Sequence, residues 1–186
     1  MIKKNCCVFL GANNPRNPNH IQAISTLCEQ LAKHQLSLIY GGSQNGLMGT
    51  LADTALKKGI PTTGIMSEDL LHMETVHPEL NEIIYTQTIA ERKLLMIEKS
   101  ELFIVMPGGV GTLEELFTAW CSIKIHGQTK KIAVANIDNY YDDLENMIDR
   151  MLSNSYVEPQ HRDIVYIGSD FEELFNAMLC PPDADA

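Results

Sequence analysis

Residues 102–112 read LFIVMPGGVGT. The run 102–106 is apolar throughout, which is typical of a strand that is covered on both faces of its sheet. Three glycines follow within four residues, and an apolar pattern with helical spacing occupies residues 113–125. A strand, a glycine-rich turn and a helix therefore stand in immediate succession, which is the connection from which parallel sheets are built.

The same alternation extends outward over the chain. Further strands are predicted at residues 6–10, 36–40, 62–66, 131–135 and 164–167, with a weaker candidate at 82–85. Further helices are predicted at residues 20–33, 47–58, 89–98, 141–152 and 171–179. This order predicts an α/β fold with a doubly wound, mostly parallel sheet and helices on both faces. We expect residues 1–180 to form a single domain and residues 181–186 to form a frayed acidic tail.

The charge balance narrows the possible partners. The chain has 186 residues and a formal net charge of −10, from 14 basic and 24 acidic side chains. Nucleic-acid binding depends on clustered Lys and Arg, so no nucleic-acid partner is expected, although backbone amides and one or two Arg can still hold a small anion. No apolar run approaches the roughly 18 residues that span a bilayer, so no membrane partner is expected either.

The cysteines and the N-terminus indicate a cytoplasmic protein. The five cysteines are odd in number and lack CxxC spacing, which favours reduced and mostly buried thiols. The apolar run after Lys4 is shorter than that of a signal peptide, and we interpret it as a strand. No cluster of His, Cys and Asp has the spacing of a zinc site, so no metal is predicted.

Two glycine-rich loops mark the expected binding edge. In a parallel sheet, ligands sit outside the C-terminal ends of the strands. The loops at 41–49 (GGSQNGLMG) and 107–112 (PGGVGT) both follow a predicted strand and precede a helix. Glycine lets the backbone approach a ligand closely, and a helix start supplies unpaired N–H groups that suit a phosphate. We expect residues 11–13, after the first strand, to form a third and weaker wall of the binding site.

Neither loop matches a dinucleotide or triphosphate motif. Ser43 takes the place of the middle glycine of GxGxxG, no third glycine follows Gly111 at the required spacing, and Gly-Lys-Ser/Thr does not occur. These observations weaken NAD and NTP as ligands and leave a mononucleotide or a sugar phosphate open. The alternative is that both loops are only tight strand-to-helix connections, but two such loops at one edge favour ligand binding.

Two charged side chains near these loops, Glu115 and Arg92, have two interpretations each. Thr112 and Glu115 fit the capping box Ser/Thr-x-x-Glu, yet the Glu115 carboxylate beside a phosphate-binding turn can also stabilise a cationic sugar or polarise water. Arg92 and Lys93 fit surface charges on a helix, yet an Arg near a phosphate site adds a bidentate clamp. Glu114 points about 100° away from Glu115 around the helix, and we expect it to be solvated.

The sequence resembles one known family in several places. GGSQNGLMG at 41–49 is similar to the family segment GGGxxGLMG, and ERK at 91–93 matches xRK. PGGVGTLEE at 107–115 matches PGGxGTxxE at every fixed position, and residues 120–126 and 136–141 resemble WxxxxIH and NxDGYY. On these motifs the chain resembles the Lonely Guy (LOG) family of cytokinin riboside 5′-monophosphate phosphoribohydrolases, often mislabelled as lysine decarboxylases.

The resemblance implies an activity and a set of site residues. It implies a Rossmann-like fold, usually dimeric or in a larger homo-oligomer, that hydrolyses the N-glycosidic bond of a nucleoside 5′-monophosphate such as AMP or N6-substituted AMP. The partner is then a small-molecule nucleotide substrate, with no cofactor. By position, Glu115 and Arg92 match the catalytic pair. The implied substrate- and phosphate-binding residues are Gly41, Gly42, Met48, Lys93, Gly108, Gly109, Gly111 and Thr112.

The chain also departs from the family pattern. Ile89-Ala90 stand in place of Met-His, residues 11–13 replace Gly-Ser-Ser, and Ser43 replaces the third glycine of GGG. The segments GVIP and HxKP are replaced at residues 64–67 and 126–131. Two other function classes stay open: a non-catalytic nucleotide-binding or carrier protein of the same fold, and a decarboxylase, which would need an electron sink such as pyridoxal phosphate on a Lys that the sequence does not identify.

Overall fold

The computed structural model describes residues 4–179. Its strands are β1 (Asn5–Phe9), β2 (Ser37–Tyr40), β3 (Thr62–Ser67), β4 (Glu82–Thr86), β5 (Leu102–Val105), β6 (Lys131–Ala135) and β7 (Val165–Gly168). Its helices are α1 (Pro18–Lys33), α2 (Gly46–Lys57), α3 (Ile89–Glu98), α4 (Val110–His126), α5 (Asp142–Ser153), α6 (Pro159–Arg162) and α7 (Phe171–Leu179). Single turns of 3₁₀ helix occupy Glu68–Leu70 and Ile137–Asn139.

All seven strands are parallel and form one sheet of order β4-β3-β2-β1-β5-β6-β7. The first strand, β1, lies in the middle of this sheet. Its Cys6 pairs with Leu38 of β2 on one side and with Leu102 of β5 on the other. The strand order therefore reverses between β1 and β5. At such a reversal the connecting loops diverge and leave a crevice at the C-terminal edge of the sheet.

Alternate residues along the strands face two separate cores. Cys6 and Val8 of β1 pack under α1, α2 and α7, whereas Cys7 and Phe9 pack under α3, α4 and α5. Because both faces are covered, β5 is buried along its whole length, which explains its continuous apolar sequence. The predicted α/β fold, a doubly wound sheet with helices on both faces, is confirmed, and the sheet is parallel throughout.

The element boundaries differ from the predictions in a few places. Helix α4 begins at Val110, three residues before the predicted start, because Gly109 is its N-cap. The single-turn helix α6 is too short to show a helical apolar pattern and was not predicted. The weak strand candidate at 82–85 is confirmed as β4, an edge strand. The predicted tail at 181–186 lies outside the described residues.

Three further features of the described residues concern membrane-spanning helices, metal sites and free cysteines. Between residues 4 and 179, no helix has both the length and the apolar character to cross a membrane. In the same part of the chain, no group of three or more His, Cys, Asp or Glu side chains is arranged to hold a metal ion. Cys6, Cys7 and Cys28 are free and buried, whereas Cys121 is free and exposed.

Candidate functional site

Two adjoining cavities lie at the C-terminal edge of the sheet, where the strand order reverses. The first has a volume of about 340 Å³, is lined by Arg92 and Glu115 among others, and is called the Glu115 cavity. The second has a volume of about 440 Å³, is lined by Tyr140, and is called the Tyr140 cavity. Asn13 and Gly109 line both cavities, so the two spaces meet at that point. Both volumes suit a small-molecule ligand.

The Glu115 cavity brings together most of the predicted site residues. Its lining includes Met48, Arg92, Lys93, Gly109, Gly111, Thr112 and Glu115. Gly108 lines the Tyr140 cavity instead, and Gly41 and Gly42 line neither. Ala12 and Asn13 complete the wall, so the loop after β1 is a third wall, as predicted.

The glycines of the turn after β5 differ in what surrounds them. A Cβ on Gly108 would lie 2.1 Å from Thr112 Oγ1 and 2.9 Å from the backbone nitrogen of Gly11, so close packing requires glycine there. A Cβ on Gly109 or Gly111 would meet no atom within 4 Å. Since folding does not require glycine at these two positions, the open space beside them suits a ligand that approaches the backbone.

The N-terminus of α4 borders the Glu115 cavity. Gly109 is the N-cap and supplies no side-chain hydrogen bond. The N–H groups from Val110 to Thr112 have no partners within the helix and lie at the positive end of its dipole, which favours an anion. The predicted capping box is wrong, because Thr112 is the third residue of the helix and Glu115 the sixth, beyond the first turn.

Arg92 is buried, with 5% of its surface exposed. Its Nε donates to the carbonyl of Ile65 at 2.8 Å and its Nη2 donates to the carbonyl of Gly41 at 3.2 Å. Its Nη1 lies 3.5 Å from Glu115 Oε1. The interpretation of Arg92 as a surface charge is therefore wrong. Two backbone carbonyls fix the guanidinium so that its remaining nitrogen faces the Glu115 carboxyl group.

Gly41 and Gly42 build the wall behind Arg92. A Cβ on Gly41 would lie 2.1 Å from Arg92 Nη2 and 3.0 Å from Met48 Sδ, so glycine makes room for the guanidinium. Gly42 has a φ of +82°, which favours glycine, and a Cβ there would lie 3.4 Å from the Cα of Gly64 in β3. Both glycines thus have a structural reason, and their contact with a nucleotide stays a prediction.

The carboxyl group of Glu115 is nearly buried, with 12% of its side chain exposed. Burial raises the pKa of this carboxyl from the ordinary 4.5 to about 7. The Arg92 guanidinium opposes this rise in pKa, whereas the carboxylates of Glu114 and Glu74 add to it. Near neutral pH the group is therefore present in both protonation states, which suits a residue that accepts a proton during a reaction.

Lys93 and Glu114 form an ion pair at the edge of the Glu115 cavity. Glu114 also accepts a hydrogen bond from the Thr118 hydroxyl at 3.2 Å. Glu114 is exposed, as expected from its position on the helix, but its carboxylate is paired and not simply solvated. Glu115, and not Glu114, therefore lies beside Arg92 in the cavity.

Glu74 is a residue of this cavity that the sequence analysis missed. Its Oε2 is buried and has no hydrogen-bond partner within the described residues. Backbone hydrogen bonds hold its segment against the loop after β2: Gln44 N donates to the Thr75 carbonyl at 2.8 Å, and His77 N donates to the Gly42 carbonyl at 2.9 Å. An unpaired buried carboxylate oxygen is an acceptor for a ligand donor. No motif or periodicity in the sequence marks this residue.

Comparison with known proteins identifies the family. Residues 48–178 match the family model described as possible lysine decarboxylase. The cytokinin riboside 5′-monophosphate phosphoribohydrolase LOG5 of Arabidopsis thaliana is 33% identical over 173 residues, which cover 92% of this chain and 75% of LOG5. The chain belongs to the LOG family. The probable LOG phosphoribohydrolase LOGL5 of Oryza sativa subsp. japonica is 32% identical, and the match covers 97% of this chain and 74% of LOGL5.

Solved structures share the fold of this LOG-family chain. The molybdenum cofactor binding protein from Rippkaea orientalis has a TM-score of 0.69 at 20% identity, over 95% of this chain and 96% of that one. The molybdenum cofactor carrier protein from Chlamydomonas reinhardtii has a TM-score of 0.68 at 17% identity, over 94% and 96% of the two chains. At these identities the likeness establishes the fold alone, and it agrees with the Rossmann-like architecture.

Proposed function

We propose that this LOG-family protein hydrolyses the N-glycosidic bond of a nucleoside 5′-monophosphate, AMP or an N6-substituted AMP, to free base and ribose 5-phosphate. The observation that carries the proposal is the buried pair of Arg92 and Glu115 next to the open glycines at the start of α4. The names of LOG5 and other relatives as phosphoribohydrolases support the same activity.

The start of α4 is the proposed anchor for the 5′-phosphate. Its unpaired N–H groups and the open space beside Gly109 and Gly111 suit a phosphoryl group. From Thr112 to Glu115 the helix rises about 5 Å, so a phosphate at the first turn places the attached ribose beside the carboxyl group. Binding energy from the phosphate then serves to position C1′ for reaction.

The chemistry follows from the charge that develops on the sugar. As the C1′–N bond breaks, its electron pair leaves with the base, which takes a proton from solvent, and positive charge develops on the ribose. Glu115 in its carboxylate form stabilises this charge and accepts a proton from the water whose oxygen bonds to C1′. Arg92 orients the carboxylate and, because it lowers the pKa of Glu115, keeps more of it ionised.

The direct test is a screen of nucleoside 5′-monophosphates for released base, separated by chromatography. AMP or an N6-substituted AMP should be cleaved with a much higher kcat/KM than the matching nucleoside without phosphate, because only the nucleotide gains the anchor. Equal values of kcat/KM for nucleotide and nucleoside would contradict the phosphate anchor. Absence of base release from every nucleotide would contradict the proposed activity.

Gly111→Ala is expected to separate nucleotide binding from folding. The added methyl group meets no protein atom, and Ala favours a helix over Gly by about 0.5–1 kcal/mol, so the free energy of unfolding should rise slightly. The same methyl group occupies the proposed phosphate space, so the affinity for AMP should fall at least about tenfold. Urea unfolding and titration calorimetry measure the two effects.

Gly108→Ala is the matched control for this pair of effects. Here the methyl group would collide with Thr112, and we expect the free energy of unfolding to fall by about 1–3 kcal/mol. If Gly111→Ala binds AMP as tightly as the unsubstituted protein, the phosphate does not lie at the start of α4.

Glu74 is the proposed acceptor for a ribose hydroxyl. A site that accepts a hydrogen bond from a hydroxyl discriminates against a substrate that lacks it, so the protein should prefer AMP to 2′-deoxy-AMP. In Glu74→Met the ratio of kcat/KM for AMP to that for 2′-deoxy-AMP should fall at least about tenfold relative to the unsubstituted protein. Comparing the two proteins cancels the different intrinsic reactivities of the substrates. Glu79→Met, at an exposed position, is the control and should leave the ratio unchanged. An unchanged ratio in Glu74→Met would refute the assignment of Glu74 as the hydroxyl acceptor.

A non-catalytic nucleotide-binding or carrier role is the second candidate function. It is favoured by the names of two structural neighbours, a molybdenum cofactor binding protein and a molybdenum cofactor carrier protein. A protein of this kind binds AMP with the same phosphate anchor but releases no base. Calorimetry with AMP, run beside the chromatographic screen, distinguishes it from the hydrolase.

We also propose that the protein acts as a homodimer in the cytoplasm. Three large apolar side chains on α3 and α4 are exposed: Leu94 to 60%, Val110 to 85% and Ile125 to 75%. Val110 also lines the Glu115 cavity. A second copy that covers Val110 would bury apolar area and narrow access to the Glu115 cavity.

A further inference from the structure

The Tyr140 cavity lies on the other side of the glycine turn from Glu115. It is lined by the loop at residues 13–17, by the start of α1 and by the segment around Tyr140. Its volume of about 440 Å³ exceeds that of the Glu115 cavity. The hydrolysis proposed above uses none of the side chains of this cavity.

The polar groups of this cavity are only partly paired. His20 is 6% exposed, and its Nε2 is buried without a hydrogen-bond partner. Arg16 is exposed and forms no ion pair within the described part of the chain. Asn13 and Asn14 line the same space with amide side chains. Because buried polar atoms without partners are rare in folded proteins, this cavity has hydrogen-bonding capacity that the described chain does not use.

One wall of the cavity is held firmly in place. Asp138 adopts a φ of +51°, which non-glycine residues seldom do, and its Oδ2 accepts hydrogen bonds from Asn17 Nδ2 and Asn19 Nδ2, both at 2.7 Å. The Tyr140 hydroxyl donates to the Gly108 carbonyl at 2.7 Å. This last bond joins the wall directly to the glycine turn, so the two cavities share one rigid boundary.

The side chains of the wall restrict the chemistry of an occupant. Hydrogen bonds from two amides lower the pKa of the Asp138 carboxyl, so it is ionised at neutral pH and opposes an anionic group beside it. Arg16 supplies one opposite charge, and the asparagine amides supply both donors and acceptors. The half-exposed Tyr140 ring offers a flat apolar surface. This combination fits a flat, neutral heterocycle with donors and acceptors at its edge, as in a nucleobase.

The junction of the two cavities determines how such a group would be attached. Asn13 and Gly109 line both spaces, so a phosphoryl group at Gly109 faces both of them. We propose that the Tyr140 cavity binds the second nucleoside of a ligand in which two nucleosides are joined through their 5′-phosphates, with the first nucleotide in the Glu115 cavity. The inference rests on the proposed function only for the position of the phosphate at α4, and it requires no bond cleavage.

Titration calorimetry with AMP, ADP and diadenosine 5′,5′-diphosphate tests the inference. The host is the full chain with Glu115→Gln, so that base release does not disturb the measurement. The dinucleotide should bind at least about tenfold more tightly than ADP, since it adds hydrogen bonds and stacking in the second cavity. When Asn14→Ala and Arg16→Ala are both added to this host, the advantage of the dinucleotide over ADP should disappear. The affinity for AMP should stay within about twofold of that of the host.

Arg150→Ala is the matched control, because it removes an exposed arginine on α5 that lines neither cavity. It should keep the tenfold advantage of the dinucleotide. Equal affinities for ADP and the dinucleotide in the host chain would overturn the inference, and so would a double variant that weakens AMP and the dinucleotide equally. Tighter binding of the dinucleotide in a protein that cleaves no nucleotide would support this inference while refuting the proposed hydrolysis.

Discussion

Glu115→Gln is expected to lower kcat for base release from AMP about 1,000-fold. Gln has nearly the same shape as Glu, and its Oε1 can still face Arg92 Nη1, which lies 3.5 Å from the present carboxyl oxygen. The fold and the affinity for AMP should therefore be retained. What is lost is the negative charge that stabilises the cationic sugar and the group that accepts the proton of water. Chromatography of released adenine measures kcat, and calorimetry measures the affinity.

The pH dependence of the reaction gives this prediction a second readout. Burial raises the pKa of the Glu115 carboxyl to about 7, and the reaction uses the ionised form. In the unsubstituted protein, kcat/KM for AMP should therefore rise from about pH 6 to about pH 8 and then level off. The residual activity of Glu115→Gln should lack this rise, because amides do not titrate in that range.

Glu114→Gln is the matched control for the Glu115 substitution. Glu114 is the neighbouring residue with the same carboxyl group, but its side chain is 47% exposed and paired with Lys93. We expect Glu114→Gln to change kcat less than about fivefold, since an exposed ion pair contributes little. Two results would contradict the role of Glu115: more than a tenth of the original kcat in Glu115→Gln, or an equal loss in both variants.

The sequence was sufficient to predict the strand–turn–helix unit beside the candidate site, because that unit depends on local geometry. The turn and the Glu115 carboxyl belong to one strand–turn–helix unit, whose shape follows from glycine and from the helical rise. The position of Arg92 has a different origin. Its partners Ile65 and Gly41 are 27 and 51 residues away in sequence, so its burial follows from sheet topology. The residues alone left Arg92 as either a surface charge or a phosphate clamp, and the family resemblance favoured a role in the site.

Packing determined what local patterns left ambiguous. The sequence allowed a capping box in which Thr112 is the N-cap and the helix starts at Leu113. Instead, Thr112 packs its side chain against Gly108, and the helix starts three residues earlier. No local sequence pattern marks Glu74 as a site residue. Its loop reaches the cavity through backbone hydrogen bonds to Gly42 and Gln44, which are distant in sequence. The alternation of buried strands and amphipathic helices was enough to predict the fold class, since it depends on periodicity and not on such long-range contacts.

Arg92→Met is expected to reduce kcat/KM for AMP at least about 100-fold and the free energy of unfolding by about 3 kcal/mol. Met fills a similar volume but leaves the carbonyls of Ile65 and Gly41 without the donors that Arg92 supplies at 2.8 and 3.2 Å. It also removes the cation that faces Glu115. Because that cation lowers the pKa of Glu115, its loss should move the apparent pKa of the kcat/KM profile above 7.

The destabilisation by Arg92→Met should grow as the pH rises. Folding raises the pKa of the Glu115 carboxyl, so the folded chain binds its proton more tightly, and the free energy of unfolding falls as the pH rises from the ordinary pKa of 4.5 through the folded value. In the unsubstituted protein this fall ends near pH 7, whereas in Arg92→Met it continues to higher pH. The double variant Arg92→Met, Glu115→Gln lacks the titrating carboxyl group and should become more stable than Arg92→Met as the solution turns alkaline. Urea unfolding of the unsubstituted protein, of Arg92→Met and of the double variant across this pH range tests the coupling. A destabilisation by Arg92→Met that stays constant with pH would mean that the two side chains share no charge interaction.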